Sequence, residues 1–176
     1  MTEDVVRMLG FATLGSRLKR IGEKLQAQTQ DLAVELAGTD LPTPHNPVLA
    51  ALDRHGSSSI GDLARALGQS QPGVTRMINK MKADGLVEVI PSAADRRVST
   101  VALTGKGCRL VEHLKATLWP AVSFAVADAC AGLDGSLLDQ LDRLEDALTQ
   151  KTLSVRQAGR EVPDWASLAP TRKERS

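Results

Sequence analysis

What this sequence lacks narrows its function first. It contains no tyrosine, two phenylalanines and two tryptophans, so aromatics make up 2% of its 176 residues. Proteins that hold unpaired RNA or DNA stack the bases on aromatic rings, and this composition supplies too few for such a platform. The two cysteines, Cys108 and Cys130, show neither a Cys-x-x-Cys spacing nor the density of a secreted disulfide scaffold. Three histidines, His45, His55 and His113, are scattered without metal-ligand spacing, so no metal or cofactor is expected. No apolar run is long enough to span a bilayer, and no membrane contact is expected. Glu3 and Asp4 near the start read against a secretory leader, which points to the cytoplasm. There is no nucleophile elbow and no phosphate loop, so an enzyme is not expected.

Hydrophobic residues reach 42% and charged residues 24%, enough for a core built from Leu, Val, Ile, Ala and Met. The net charge of +1 conceals a gradient. Residues 60–109 hold eight Lys/Arg against four Asp/Glu, a local +4, whereas residues 110–150 hold two against seven, a local −5. A basic middle between neutral or acidic flanks suits a molecule with one face for phosphate. An unevenly charged solvated surface explains the same numbers, so charge alone does not decide.

Periodicity organises the chain. Phe11, Leu14, Leu18, Ile21 and Leu25 repeat at intervals of three and four, and Leu32 and Leu36 continue the stripe. This predicts one long helix, ended by Leu41-Pro42-Thr43-Pro44. A short helix from about Pro47 to His55 follows, capped by Asn46. Ser59 and Asp62 form a capping box for a helix running to about Leu67, which Gly68 stops. A further helix begins near Ser70 or Gln71 and runs to about Asp84, with Val74, Ile78 and Met81 as its apolar face. Two helices joined by so short a Gly-containing turn predict a helix-turn-helix.

The period then changes. Leu86–Ile90 and Val98–Leu103 read as strands around the turn-rich loop 91–97, a β-hairpin of the kind called a wing. Thr104 caps the next helix, and Pro120 is expected to break it after Trp119. Asp134 is the expected cap of a last helix carrying Leu137, Leu141, Leu144 and Leu148. Residues 151–176 read as a mobile tail. The expected organisation is an N-terminal dimerisation helix (1–42), a winged helix-turn-helix (43–104), C-terminal dimerisation helices (105–150) and the tail. The fold class is mainly α, an α+β winged helix-turn-helix. Phe11, Leu14, Leu18, Leu137, Leu141, Leu144 and Leu148 are the candidate dimer contacts.

The run LARALGQSQPGVTRMINKMKADGLVEVIPSAADRRVSTVALTGKG, residues 63–107, resembles the signature of the MarR family of bacterial regulators. The matching parts are Leu63-Ala64, Val74-Thr75-Arg76, Asp84-Gly85-Leu86-Val87, Asp95-Arg96-Arg97, and Leu103-Thr104 with Gly107. The resemblance implies a triangular homodimer that binds a pseudo-palindromic operator. It further implies release of DNA when a small ligand, often an aromatic acid, enters between the dimerisation and DNA-binding parts. By that rough position Leu14, Arg17, His45 and Leu49 are candidate walls of a pocket for a small aromatic or amphipathic effector. Three departures stand out: Val89 where the family often has Arg, an apolar Pro91-Ser92-Ala93-Ala94 segment in the wing, and the tail.

The residue types suit duplex DNA. An α-helix fits the major groove and brings its first turns closest to base edges. Gln71, Thr75, Arg76 and Asn79 fall on or near the face opposite Val74, Ile78 and Met81. Gln and Asn pair with adenine and Arg with guanine. Ser70 and the first-turn amides around Gly73 suit a phosphate, and Lys80 and Lys82 suit the backbone. Arg96 and Arg97 are placed for the minor groove, with Asp95 holding the wing's shape; the resemblance favours Arg97 as the groove reader. The expected function is a ligand-responsive repressor that binds double-stranded DNA as a homodimer. The alternative is a winged-helix module that binds a protein and not DNA.

Overall fold

The structure, a computed structural model, describes residues 4–91, 99–161 and 164. It divides into two compact units. Unit 1 comprises residues 1–24 and 126–176, and unit 2 comprises residues 25–125. None of the helices among the described residues is long and apolar enough to cross a membrane.

Unit 1 opens with helix α1 (Val5–Met8), capped by the Asp4 carboxylate, and a 3-10 turn over Gly10–Thr13. Helix α2 (Leu14–Ala37) begins only then. The predicted helix therefore starts a turn late: Gly10 takes a left-handed φ of 54°, and Phe11 lies in the 3-10 turn, 94% exposed. Arg20 reaches back to Asp4 at 3.0 Å, and that contact holds the Asp4 carboxyl below its ordinary range. At the other end, α8 (Leu137–Gln150) is capped by Ser136, whose Oγ accepts from the Asp139 amide at 3.2 Å. Asp134 is not the cap; its carbonyl accepts from the Gln140 side chain at 2.8 Å. The segment read as a mobile tail begins with a further helix, α9 (Leu153–Gln157), capped by Thr152. Its Arg156 guanidinium donates to the carbonyls of Lys151 and Ala147, satisfying groups left open where α8 ends.

Unit 2 begins within α2, which ends at Ala37, before the expected proline stop. Gly38 supplies the left-handed turn (φ 57°), and the Thr39 amide donates to the Ala33 carbonyl at 3.2 Å. Glycine adopts this conformation without the penalty a Cβ brings, so the helix stops where it can be capped. Helix α3 (Asn46–His55) follows a 3-10 turn over Thr43–His45. His45 occupies its cap position, and Asn46 is already helical, its amide group donating to the Thr43 carbonyl at 3.2 Å.

The helix-turn-helix comprises α4 (Ile60–Ala66) and α5 (Gln71–Ala83). Ser59 caps α4 as expected, accepting from the Asp62 amide at 3.1 Å. The Asp62 carboxylate turns back to Ser59 in return, taking its hydroxyl at 2.6 Å, and also takes the Arg65 guanidinium. Strands β2 (Val87–Pro91) and β3 (Ser99–Leu103) pair antiparallel from Val87↔Leu103 to Pro91↔Ser99. A strand the periodicity did not signal, β1 (Ser58–Ser59), pairs with the other edge of β3, giving the order β1-β3-β2.

Thr104 links the hairpin to α6 (Gly105–Ala116). It accepts from the Gly107 amide at 3.1 Å and donates to the Gly85 carbonyl at 2.7 Å. The α6–α7 break comes at Thr117, before Trp119, and α7 (Leu118–Cys130) carries Pro120 in its first turn. Proline is tolerated there because the first-turn amides have no intrahelical partner. Leu49, Leu63, Ile78, Met81, Leu114 and Leu118 are fully buried together. Each contributes roughly 1.5–3 kcal/mol of burial. This core clamps α5 by one stripe and leaves the opposite face free.

Candidate nucleic-acid interface

The turn before α5 is closed by its own backbone. The amides of Leu67, Gly68 and Gln69 donate to the carbonyls of Leu63, Arg65 and Ala64 at 2.9, 3.2 and 2.9 Å. Gly68 carries the left-handed φ of 60° that makes this possible. Ser70 then caps α5, its Oγ accepting from the Gly73 amide at 3.3 Å. Ser70 thus has a local role beside the phosphate contact expected of it. Gly73 is small for a local reason too, since a Cβ there would lie 3.1 Å from that oxygen.

Val74, Ile78 and Met81 are buried, and Gln71, Arg76, Asn79 and Lys82 are exposed. At 100° per residue, Arg76 and Asn79 lie most nearly opposite the buried stripe. These two are held by a packed helix and point away from its core. Thr75 is half-buried, and its hydroxyl donates to the Gln71 carbonyl at 2.8 Å. With its proton committed there, the hydroxyl is left as an acceptor only. Lys80 turns to the Asp84 carboxylate at 3.5 Å and lines a cavity at the end of α5, together with Lys106 and Asp40. Its ammonium is shared with that cavity. Asp95, Arg96 and Arg97 lie outside the described residues. Val89 and Ile90 are exposed on β2, so the hairpin presents apolar surface where an arginine was missed.

The four residues expected to wall an effector pocket are distributed differently. Leu14 and Arg17 belong to unit 1. Leu49 is a fully buried core residue. His45 is 6% exposed, and its Nδ1 meets no hydrogen-bond partner among the described residues. Burial lowers its pKa below the ordinary 6.5; the Asp84 carboxylate pulls it up, and Lys80 pushes it further down. A cavity of about 410 Å³ opens instead beside α3. Gln26 and Thr29 of α2 line one side, Trp119, Val122 and Ser123 of α7 another, and Gln69 of the helix-turn-helix turn a third. No group of three or more His, Cys, Asp and Glu side chains among the described residues is placed to hold a metal ion.

Comparison with known proteins decides the family. The chain is 35% identical over 139 residues to the transcriptional activatory protein BadR of Rhodopseudomonas palustris, covering 73% of this chain and 78% of BadR. A profile described as MarR family matches residues 39–98. This chain belongs to the MarR family. It is also 33% identical over 87 residues to the transcriptional repressor IacR of Pseudomonas putida, where it spans 49% of its own length and about half (52%) of that relative.

Solved MarR-family structures agree on the winged helix-turn-helix fold. One describes regulation of DNA binding of Bordetella bronchiseptica BpsR by 6-hydroxynicotinic acid. It shares 27% identity at a TM-score of 0.59, over 77% of this chain and 98% of that one. A Staphylococcus aureus MepR–DNA complex shares the fold at 18% identity and a TM-score of 0.62, over 81% of this chain and 96% of that one.

Against this MarR-family frame, sequence reasoning located α5 and its polar face but missed the cavity. Its lining comes from four separate stretches of chain, and no local pattern joins Gln26 to Gln69 or Trp119. The one local signal was Trp119, a scarce aromatic beside a proline.

Proposed function

We propose that this MarR-family chain is a DNA-binding transcriptional regulator, and not an enzyme, which acts in the cytoplasm as a homodimer under the control of a small effector. The observation that carries the reading is α5. A helix whose apolar stripe is locked in a core presents Gln71, Arg76 and Asn79 outward, a set able to hydrogen-bond base edges in a major groove. Ser70 and Lys82 stand beside it for phosphate, and Arg96 and Arg97 are proposed for the minor groove.

Dimerisation is supported by α8, where Leu137 and Leu148 are exposed and Leu141 and Leu144 half-buried, and by the exposed Phe11 and Leu18. A self-complementary pair matches a palindromic site. Effector control is supported by the α3 cavity. Gln69 lines it, and the next residue, Ser70, caps α5. A ligand that moves Gln69 moves the start of the recognition helix, and it shifts the population only as far as it prefers the altered state. The relatives include a repressor and an activatory protein, so the proposal concerns operator occupancy and not the sign of the output.

The test is fluorescence anisotropy on duplex DNA from the region upstream of the protein's own gene. Affinity is expected to fall steeply with salt, with a log–log slope of about −0.9 per phosphate contacted. Arg76→Ala is expected to cost about 1–3 kcal/mol on that duplex and less on scrambled DNA. Binding indifferent to salt would favour the protein-interaction module instead.

A further inference from the structure

The lining of the α3 cavity also points to the kind of effector, an inference that rests on the effector-control reading above. At about 410 Å³ it has room for a small metabolite, and it is open to solvent along Gln26, Gln69 and Ser123. Its apolar surface comes from Trp119, Pro44, Pro47 and Val122. Its polar surface comes from amides and hydroxyls, among them Gln26, Thr29, Gln69 and Ser123.

The indole is fixed before any ligand arrives. Trp119 Nε1 donates to Asn46 Oδ1 at 3.2 Å, and Asn46 Nδ2 donates to the Thr43 carbonyl at 3.2 Å. Thr43 in turn donates its amide and hydroxyl to Gln30 Oε1 at 2.9 and 3.1 Å. This chain ties α7 to α3 and α2. It commits the indole N–H within the protein, so the ring offers a guest apolar surface for stacking.

We propose that the cavity takes an uncharged planar aromatic carrying a neutral hydrogen-bonding group such as an amide, lactam or phenol. Every described lining side chain is neutral. A carboxylate brought here would give up part of its hydration without meeting an ammonium or guanidinium among the lining side chains. An amide keeps its hydrogen bonds, because glutamine, threonine and serine both donate and accept. The second cavity of unit 2 makes the contrast. Lys80 and Lys106 line it together with Asp40 and Asp84, so charged side chains of both signs stand there and none lines the cavity at Trp119.

Benzamide and benzoate form a matched pair that differs in charge and hardly in shape. The full-length Trp165→Phe variant keeps Trp119 as its sole indole, so its emission reports the cavity. Benzamide is expected to change that emission saturably and to bind about tenfold or more tighter than benzoate. Benzoate binding equally or better would overturn the charge class while leaving the effector reading standing. If neither ligand saturates, the cavity is not an effector site and both readings fail. Adding Gln26→Lys, at an exposed position on the rim, is expected to move the preference toward benzoate; an unchanged preference would overturn the charge argument.

Discussion

The two units are made from the same amino acids and do opposite things with them. Every buried residue among those described lies in unit 2, from Ala33 through Leu118. Unit 1 has none. Its leucines are as regular as any in the chain, yet Leu137 and Leu148 of α8 are 36% and 44% exposed, and Leu138 and Leu153 are 73% and 70% exposed. A helical stripe becomes a core only when something covers it. In unit 2 the cover is local: α4, α5 and the sheet close on α3 and α6. In unit 1 the stripe is an unfilled surface, and a second subunit is the cover we propose. On that proposal, foldability and assembly are carried by different parts of the chain.

The largest difference between the units is expected at their glycines. Gly107 sits in the first turn of α6 against the hairpin, where a Cβ would overlap the Leu86 carbonyl. The obstacle is backbone, which cannot rotate aside. Gly107→Ala is therefore expected to destabilise by about 1–3 kcal/mol, read as a lower urea midpoint. An unchanged midpoint would mean that α6 and the hairpin do not approach as closely as the structure has them.

The same substitution in unit 1 should carry the opposite sign. Gly22 lies inside α2 with nothing within 4 Å of where a Cβ would be. Alanine there removes the entropic cost of a helical glycine, worth about 0.5–1 kcal/mol. Gly22→Ala is expected to raise Tm by about 2 °C. A fall in Tm that grows with protein concentration would instead place a partner subunit's backbone against Gly22, and would sharpen the account of unit 1 into a mapped interface.

How much of this was legible in the sequence follows the same division. Val74, Ile78 and Met81 announced α5 because the period, cap and stop signals are all local. Gly68 and Gly85 marked the turns for the same reason. Where several local signals competed, the reading slipped. Pro42 and Pro44 drew the end of α2 past Gly38, and Pro120 drew the α6–α7 break past Thr117, since a proline is as compatible with a first turn as with a stop. Asp134 was preferred to Ser136 as cap although both precede the leucine stripe. Strand β1 is two residues long and owes its existence to β3, some forty positions later. The cavity and the buried state of His45 are tertiary facts, which no window of sequence contains.

His45 gives the subtlest test, because all three histidines lie in unit 2 and a response near neutral pH belongs to that unit alone. The charged groups that act on its ring are Lys80 of α5 and Asp84, which caps that helix, with Lys106 of α6 bonded to the Asp84 carbonyl at 2.8 Å. Burial disfavours the imidazolium, so the folded chain holds this proton less tightly than the unfolded chain does. Above the ordinary value of 6.5 both states are neutral at this residue, and its contribution to stability is complete. As pH falls below that value the unfolded state takes up a proton that the folded state resists, and stability is lost until the lowered folded pKa is passed. Tm should therefore decline as pH falls through and below 6.5, and His45→Phe, which leaves no buried nitrogen to protonate, should flatten the decline. His55→Gln and His113→Gln, at exposed sites, serve as the controls. If His45→Phe keeps the wild-type slope, the loss on acidification arises elsewhere in unit 2, and the ring behind the end of α5 is packing and nothing more.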